Sequence, residues 1–510
     1  MSESNALDNI KKIVIVGGGT AGWMAAAAFS KFFKNQFCEV VLVESDDIGT
    51  IGVGEATIPQ IQVFNQSLNI DENDFIRKTQ GSFKLGIEFV NWGAIGESYI
   101  HAFGGVGNDM DSIPFYHYWL KLNKQGGSAD IGEYCFNSLA SRKNKFMRSI
   151  DAGNSPLSNI AYAYHFDAGL YAKYLRGFSE KLGVQRTEGR ISNVNLDEDS
   201  GYIKSVSLEN GQEINGDFFV DCSGLHALLI GKALNVEYED WSHWLPCDTA
   251  WAVPSQKLDP LPSYTRATAH AAGWQWRIPL QHRTGNGHVF SRRFTDVDTA
   301  KDLLLNNIQG EILAEPRLIK FVTGRRKQFW HKNCVAIGLS SGFMEPLEST
   351  SIHLVQSAIA RIMSVFPRKT ISQVEIDLYN EQVGFEYERI RDFLILHYKV
   401  TSRNDSEFWN YCRQMSVPDS LQQKIEVFKE NAHVHRFNSE LFNEISWVEV
   451  MLGQGLYPRG YHPLVDVVPA AELTRRMAHI KRVLDTAVDY LPAHAQYIAE
   501  HCAAQEVKNQ

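Results

Sequence analysis

At 510 residues the chain exceeds what one hydrophobic core usually serves, so two or three lobes are expected. Its 50 basic and 59 acidic side chains give a net charge of −9 without any basic stripe or run, which excludes nucleic acid as the main partner. Seven cysteines, odd in number, widely spaced and without a C-x-x-C pair, speak against a disulfide framework or a zinc site, so no metal is expected.

The opening segment MSESNALDNIKK is polar and lacks the apolar core of a signal peptide, and no apolar run of about 18 residues follows. A soluble cytoplasmic enzyme, away from membranes, is the expectation. KIVIVGGGTAGW then reads as a strand, a tight turn and the start of an Ala-rich helix over 24–33. Gly17, Gly19 and Gly22 form G-x-G-x-x-G: the first allows the turn, the second lets a pyrophosphate approach the backbone, and the third lets helix and strand pack closely. A second strand over 40–43 ends in Glu44, the acid expected about 20 positions on to hold a ribose hydroxyl. Strand, helix and acid in register predict dinucleotide binding without separating FAD from NAD. The stretch GTIGVGEATIP, 49–59, is too rich in glycine and proline for a regular element; it reads as a surface loop or as backbone that approaches a flat ring or a phosphate.

Residues 73–91 begin with helical polarity and pass into FKLGIEF, 83–89, which alternates like a strand with Lys84 pointing away from Phe83 and Leu85. A lysine so placed is usually solvated, and only sometimes catalytic. His101 and Phe103 share one side of an extended segment, commonly simple packing, and aromatics crowd 111–119, which suits a core or a pocket for a flat ligand. A helix is predicted over 164–182 with Asp167 in an N-cap-like position, and a β-meander over 185–221. The meander ends in Asp221-Cys222-Ser223-Gly224, a strand entering a glycine turn, as if the chain returns to the nucleotide-binding sheet.

Strands dominate again over 249–294. There Trp274, Trp276 and Ile278 of GWQWRIP fall on one face, a bulky wall that is commonly sheet core. NCVAIG, 333–338, is another buried strand, and a helix follows over 352–365. Its start carries Ser349, Thr350 and Ser351, all able to cap, and its N–H groups make an anion site; Glu348 suits the helix dipole. Amphipathic patterns over 378–398 and 471–490 make the C-terminal third mostly helical, with a polar break at GLYPRGYHP, 455–463. His433 and His435 lack a third ligand in a recognisable spacing and read as structural.

Taken together, GGGTAGW, GVGEATIP, FKLGIEFVNW, GWQWRIP and GFMEPLESTSIHLVQ resemble the flavin-dependent halogenases of the tryptophan halogenase family, over residues 12 to about 360 with the motifs in family order. The resemblance implies an α/β fold: a Rossmann-like FAD-binding domain of the flavin monooxygenase type over 1–370, an interleaved β-rich substrate region at about 85–330, and a helical substrate-covering region over 371–510. It assigns cofactor contacts to Gly17, Gly19, Thr20, Ala21, Gly22 and Glu44, and further ones to Gly54, Glu55, Ala56 and Gly338.

The implied chemistry starts with FADH₂ from a separate flavin reductase, which reacts with O₂ to a flavin hydroperoxide; bromide or chloride attacks it to form hypohalous acid. Lys84 and Glu348 occupy the positions of the family's essential lysine and glutamate. Lys84 would meet the oxidant as an ammonium or a neutral amine, roles closed to arginine, and Glu348 would stabilise the cationic ring and take its proton. The halide would lie near Thr350 and Ser351, the latter standing where the better-known tryptophan enzymes have glycine. Trp274 and Trp276 would keep substrate from the flavin, and His101 and Phe103 would sandwich an electron-rich ring. The segment around Tyr457 to Pro463 differs from the loop that grips free tryptophan, and EPLESTSIHLVQ resembles the branch that accepts simple indoles and often prefers bromide. An indole-type small aromatic is therefore the expected substrate, and a homodimer remains open. A flavin-dependent aromatic monooxygenase shares the nucleotide domain and is the first competing reading; an NAD-dependent oxidoreductase lacks a second fingerprint, and a non-catalytic FAD-binding protein fits poorly with both Lys84 and Glu348 in place.

Overall fold

The structure, a computed structural model, describes residues 8–48, 54–127, 129–437 and 439–505. It divides into two compact units, each drawn from three segments: Met1–Gln80, Phe166–His243 and Phe321–Glu388 form the first, Gly81–His165, Trp244–Lys320 and Arg389–Gln510 the second.

The first unit is built on a six-stranded sheet. From its centre outwards, Lys12–Val16 pairs in parallel with Glu39–Glu44 on one side and Phe218–Asp221 on the other; Gln185–Glu188 and Cys334–Ala336 extend it, and Trp330–His331 closes one edge antiparallel. The β-branched runs are buried on both faces, as a parallel sheet requires. Val14, Val16, Val41 and Val43 share a core with Ile203, Val206 and Leu208 of an antiparallel meander, Ile191–Leu196, Ile203–Leu208 and Glu213–Asn215. The helix Thr20–Phe37 packs on the sheet and on helices Ala168–Lys181 and Ser351–Ser364, and its buried Ala25 to Ala28 permit close approach.

Three expectations are refined here. Phe218–Asp221 does return to the nucleotide-binding sheet beside Lys12–Val16, but Gln185–Glu188 belongs to that sheet and not to the meander. Within 49–59 the described part holds a short strand, Gly54–Ala56; residues 49–53 of the predicted loop lie outside the described residues. The predicted 164–182 helix begins late: Ala163–Asp167 is a strand, and Asp167 then caps the helix by accepting the Leu170 N–H at 3.0 Å. Aromatic side chains alternating across a strand win over helical spacing where a partner strand is available.

The second unit is organised on a seven-stranded sheet in the order Arg317–Lys320, Thr249–Gln256, Arg283–Phe290, Gly273–Pro279, Thr265–His270, Gly86–Val90, Ser98–Ala102. Only Thr265–His270 and Gly86–Val90 run parallel. The predicted single strand over 83–89 is two: Ser82–Lys84 pairs antiparallel with Ala163–Asp167, Gly86–Val90 joins the large sheet, and Leu85 between them donates its N–H to the Ser263 carbonyl at 2.7 Å. Helices, among them Phe115–Lys124, Glu444–Gly453 and Ala470–Tyr490, supply much of the rest.

Candidate functional site

The glycine turn of the first unit separates two needs. Gly17 has φ +111°, and a methyl there would strike the Cys222 carbonyl; one on Gly22 would strike the Gly17 carbonyl, and one on Gly18 the Glu44 carboxylate. Those three glycines serve the protein's own packing. A methyl on Gly19 would meet nothing within 4 Å, so this is where the backbone opens. Gly19 is also the N-cap of Thr20–Phe37 and provides no side chain to cap it, leaving the first N–H groups for an anion. Glu44 lies over the turn at the end of Glu39–Glu44, and Arg186 Nε holds its Oε1 at 2.6 Å. Gly338, at φ +76°, lies against Ala21, where an added methyl would come 2.9 Å from the Ala21 methyl. Open backbone, uncapped helix end and fixed acid fit the pyrophosphate and ribose of a dinucleotide. Burial pushes the Glu55 carboxyl, in Gly54–Ala56, up to about 7.

In the same unit Glu348 is buried at the end of the turn Pro346–Glu348. Ser349 takes the left-handed conformation, φ +60°, and the helix starts at Ser351. Thr350 sits at the N-cap but makes no side-chain cap bond, contrary to the expected capping, so the anion-attracting end stays open. Thr350 is buried and Ser351 half-buried.

Lys84 stands in the second unit and is fully buried, which overturns the solvated reading. Side chains alternate along Ser82–Lys84. Phe83 goes to one side and stacks on Phe146 at 4.1 Å; Lys84 goes to the other, with Nζ 5.3 Å over the ring of Phe103. The alternating pattern is present, but both faces of this strand are covered. His165, paired opposite Ser82, is held far below the ordinary histidine value by burial first, then by Lys84 and His494.

Trp274 and Trp276 do share a face, with ring centroids 6.2 Å apart, and Trp92 backs Trp274 at 6.3 Å. Gly287 opposite Trp276 has no room for a side chain because the indole fills it. The buried Trp276 Nε1–H makes no hydrogen bond among the described residues. His101, buried, meets Phe393 at 5.6 Å and Phe442 at 6.2 Å; Phe393 stacks on Phe442 at 3.8 Å and sets its edge against Trp447 at 4.8 Å. Sequence reasoning missed this aromatic wall because its members lie about 300 positions from His101; the only local signal is the apolar run around Trp447. The structure thus groups Lys84 with Phe103, Trp274 with Trp276, and Gly17 to Gly22 with Glu44 and Gly338, while Glu348, Thr350 and Ser351 follow one another at a helix start.

His433 does find neighbours: its ring lies 5.5 Å from His117 and 6.0 Å from His462. Yet His117 Nδ1 accepts the His462 N–H and His462 Nδ1 accepts the Leu464 N–H, which uses up ligand lone pairs. Among the described residues no group of three or more His, Cys, Asp or Glu is arranged to hold a metal, and no helix is long and apolar enough to cross a membrane.

Layered helix, parallel sheet and meander, with a glycine turn and Glu44 at the strand ends, are the arrangement of a Rossmann-like α/β domain. The family model described as tryptophan halogenase matches residues 12–470. Xcc4156, a flavin-dependent halogenase from Xanthomonas campestris, superposes with a TM-score of 0.94 at 47% identity, covering 98% of this chain and 99% of its own. BrvH, a flavin-dependent halogenase from Brevundimonas sp. BAL3, gives 0.93 at 44% identity over 96% and 99%. Tryptophan 6-halogenase ThaL from Streptomyces albogriseolus is 35% identical over 96% of this chain and 98% of its own. The chain belongs to the tryptophan halogenase family and is an enzyme of the flavin-dependent halogenase class.

Proposed function

We propose that the protein halogenates an electron-rich, indole-type ring with bromide or chloride, using O₂ and FADH₂ delivered by a separate reductase. Reduced FAD with O₂ supplies, when bound, the two-electron oxidation that makes halide electrophilic. The open backbone at Gly19 and the carboxylate of Glu44 bind the pyrophosphate and ribose, with Thr20, Ala21, Gly54, Glu55, Ala56 and Gly338 along the same cofactor. The helix end at Thr350 and Ser351 attracts the halide. Lys84 holds hypohalous acid by N–H donation, or as a neutral amine attacks its halogen, breaking the oxygen–halogen bond to give a haloamine and water, a step for which the protonated guanidinium of an arginine is a poor nucleophile; its burial limits quenching of the halogen by bulk water. Glu348 stabilises the cationic ring and accepts the proton it loses. Trp274 and Trp276 bar the organic substrate from the flavin, and His101 and Phe103 sandwich its ring.

The observation that carries this reading is the complete burial of the Lys84 side chain over Phe103. Burying an ammonium costs several kcal/mol before its neighbours compensate, and an apolar side chain of similar volume serves folding as well, so folding alone gives little reason for a lysine at this position. The test combines the protein with a flavin reductase, NADH, FAD and bromide over a panel of indoles. Products carrying the bromine isotope doublet support the reading; an oxygenated product formed without any halide requirement replaces it with the monooxygenase.

A further inference from the structure

Ser82 lies two residues before Lys84, on the same side of the strand. Its hydroxyl donates to the Pro279 carbonyl at 2.6 Å, so its oxygen accepts from His165 Nδ1, 3.0 Å away. His165 Nε2 then accepts the Thr265 hydroxyl at 2.9 Å. The Ser82 bond places a proton on Nδ1, and burial, which holds this ring far below the ordinary histidine value, leaves Nε2 to accept, so both ring nitrogens are engaged. All three side chains are buried. On the opposite side of the strand the Phe83 N–H donates to His494 Nε2 at 3.0 Å, and Arg148 lies over the Phe83 ring at 5.3 Å. The charged and titratable groups around His165 are therefore Lys84 on its own side, and His494 and Arg148 behind the strand.

The fold alone gives little reason for this chain of polar groups. Replacing a buried hydrogen-bonded set by apolar side chains of similar shape is often nearly neutral for stability. A protonated imidazole here, however, would set a second cation beside a buried ammonium. A shifted Ser82 would rotate the very strand that aims Lys84.

We infer that Ser82, His165 and Thr265 form a positioning relay for Lys84: an uncharged imidazole, bonded at both nitrogens, holds the strand on the side that carries the lysine and denies the site a second positive charge. None of the three is a catalytic residue. The inference rests on the role proposed above for Lys84.

The full-length protein, with reductase, NADH, FAD, bromide and the best indole of the panel, reads out kcat, KM for the indole, brominated product per FADH₂ oxidised, and electrophilic bromine escaping to a soluble 1,3-diketone. His165→Leu is expected to lower kcat and product per FADH₂ by about tenfold to a hundredfold, with KM near wild type and more bromine trapped. His165→Asn, which keeps an N–H for Ser82, recovers most of the loss; Ser82→Ala reproduces it and carries the test should His165→Leu not fold. Wild-type coupling in Ser82→Ala or His165→Leu overturns the relay, as does a His165→Asn as poor as the leucine variant. In the apoprotein, spectra of ¹⁵N-labelled histidine should show an Nδ1–H ring, absent from His165→Asn, that is still neutral at about pH 6, where an ordinary imidazole is mostly protonated; a ring protonated at pH 6 overturns the inference. Lys84→Ala is the reference. Surviving halogenation in that variant defeats the role of Lys84 itself, whereas an inactive Lys84→Ala beside fully coupled Ser82→Ala defeats only the relay.

Discussion

Acidification should unseat the strand that carries Lys84 through one histidine. His494 is fully buried, accepts the Phe83 N–H and points Nδ1 at the Leu261 carbonyl, and burial lowers it from an ordinary 6.5 to about 4. Between those values the unfolded chain binds the proton and the folded one does not, so stability falls as pH falls. Above 6.5 the contribution is complete; by pH 4 about 3 kcal/mol of it is gone. His494→Ala has nothing to protonate. At pH 7.5 it leaves the buried Phe83 N–H without its acceptor, a cost of about 1–3 kcal/mol besides the cavity. The stability gap to wild type should therefore close by about 3 kcal/mol between pH 7.5 and pH 4, because His117 and His288, also lowered by burial, are common to both proteins, and the substitution removes only the last of the three influences that lower His165. Urea unfolding of the apoprotein followed by tryptophan fluorescence measures the gap, and hydrogen exchange at the Phe83 amide reports it from the second unit alone. Parallel curves across that range would show that His494 takes up its proton as readily in the folded state as in the unfolded chain, and the lowering by burial would be wrong.

Lys84→Ala is expected to bind FAD and oxidise FADH₂ like wild type while losing halogenated product, and Lys84→Arg should do no better; product analysis beside FADH₂ consumption decides. Glu348→Gln should slow halogenation by the ~10²–10⁴ of a lost acid–base group in single-turnover kinetics, and a near-wild-type rate removes Glu348 from the chemistry. Gly19→Ala should leave apoprotein stability within about 1 kcal/mol, since its methyl enters open space, yet weaken FAD binding in a fluorescence titration. Gly17→Ala, forced into φ +111° and against the Cys222 carbonyl, should cost about 2 kcal/mol or more in the same denaturation assay.

By itself the amino-acid order determined whatever depends on neighbours along the chain. KIVIVGGGTAGW specifies strand, turn and helix because β-branched residues, glycines and alanines each favour one local conformation, and Glu44 follows at the next strand end. The period of two put Trp274 and Trp276 on one face, and Asp167 announced a helix start. Tertiary structure alone decided environment. Lys84 in an alternating pattern reads as solvated, and only the covering of both faces of Ser82–Lys84 buries it. Tyr164 to Phe166 could have begun a helix, but the paired strand at Ser82–Lys84 made them extended. Ser82 and His165 stand 83 positions apart, and His101 and Phe393 farther still; no local rule relates such residues. Dihedral preference and side-chain period act over a few residues, whereas desolvation and hydrogen bonding between distant segments arise only once the chain has closed around them.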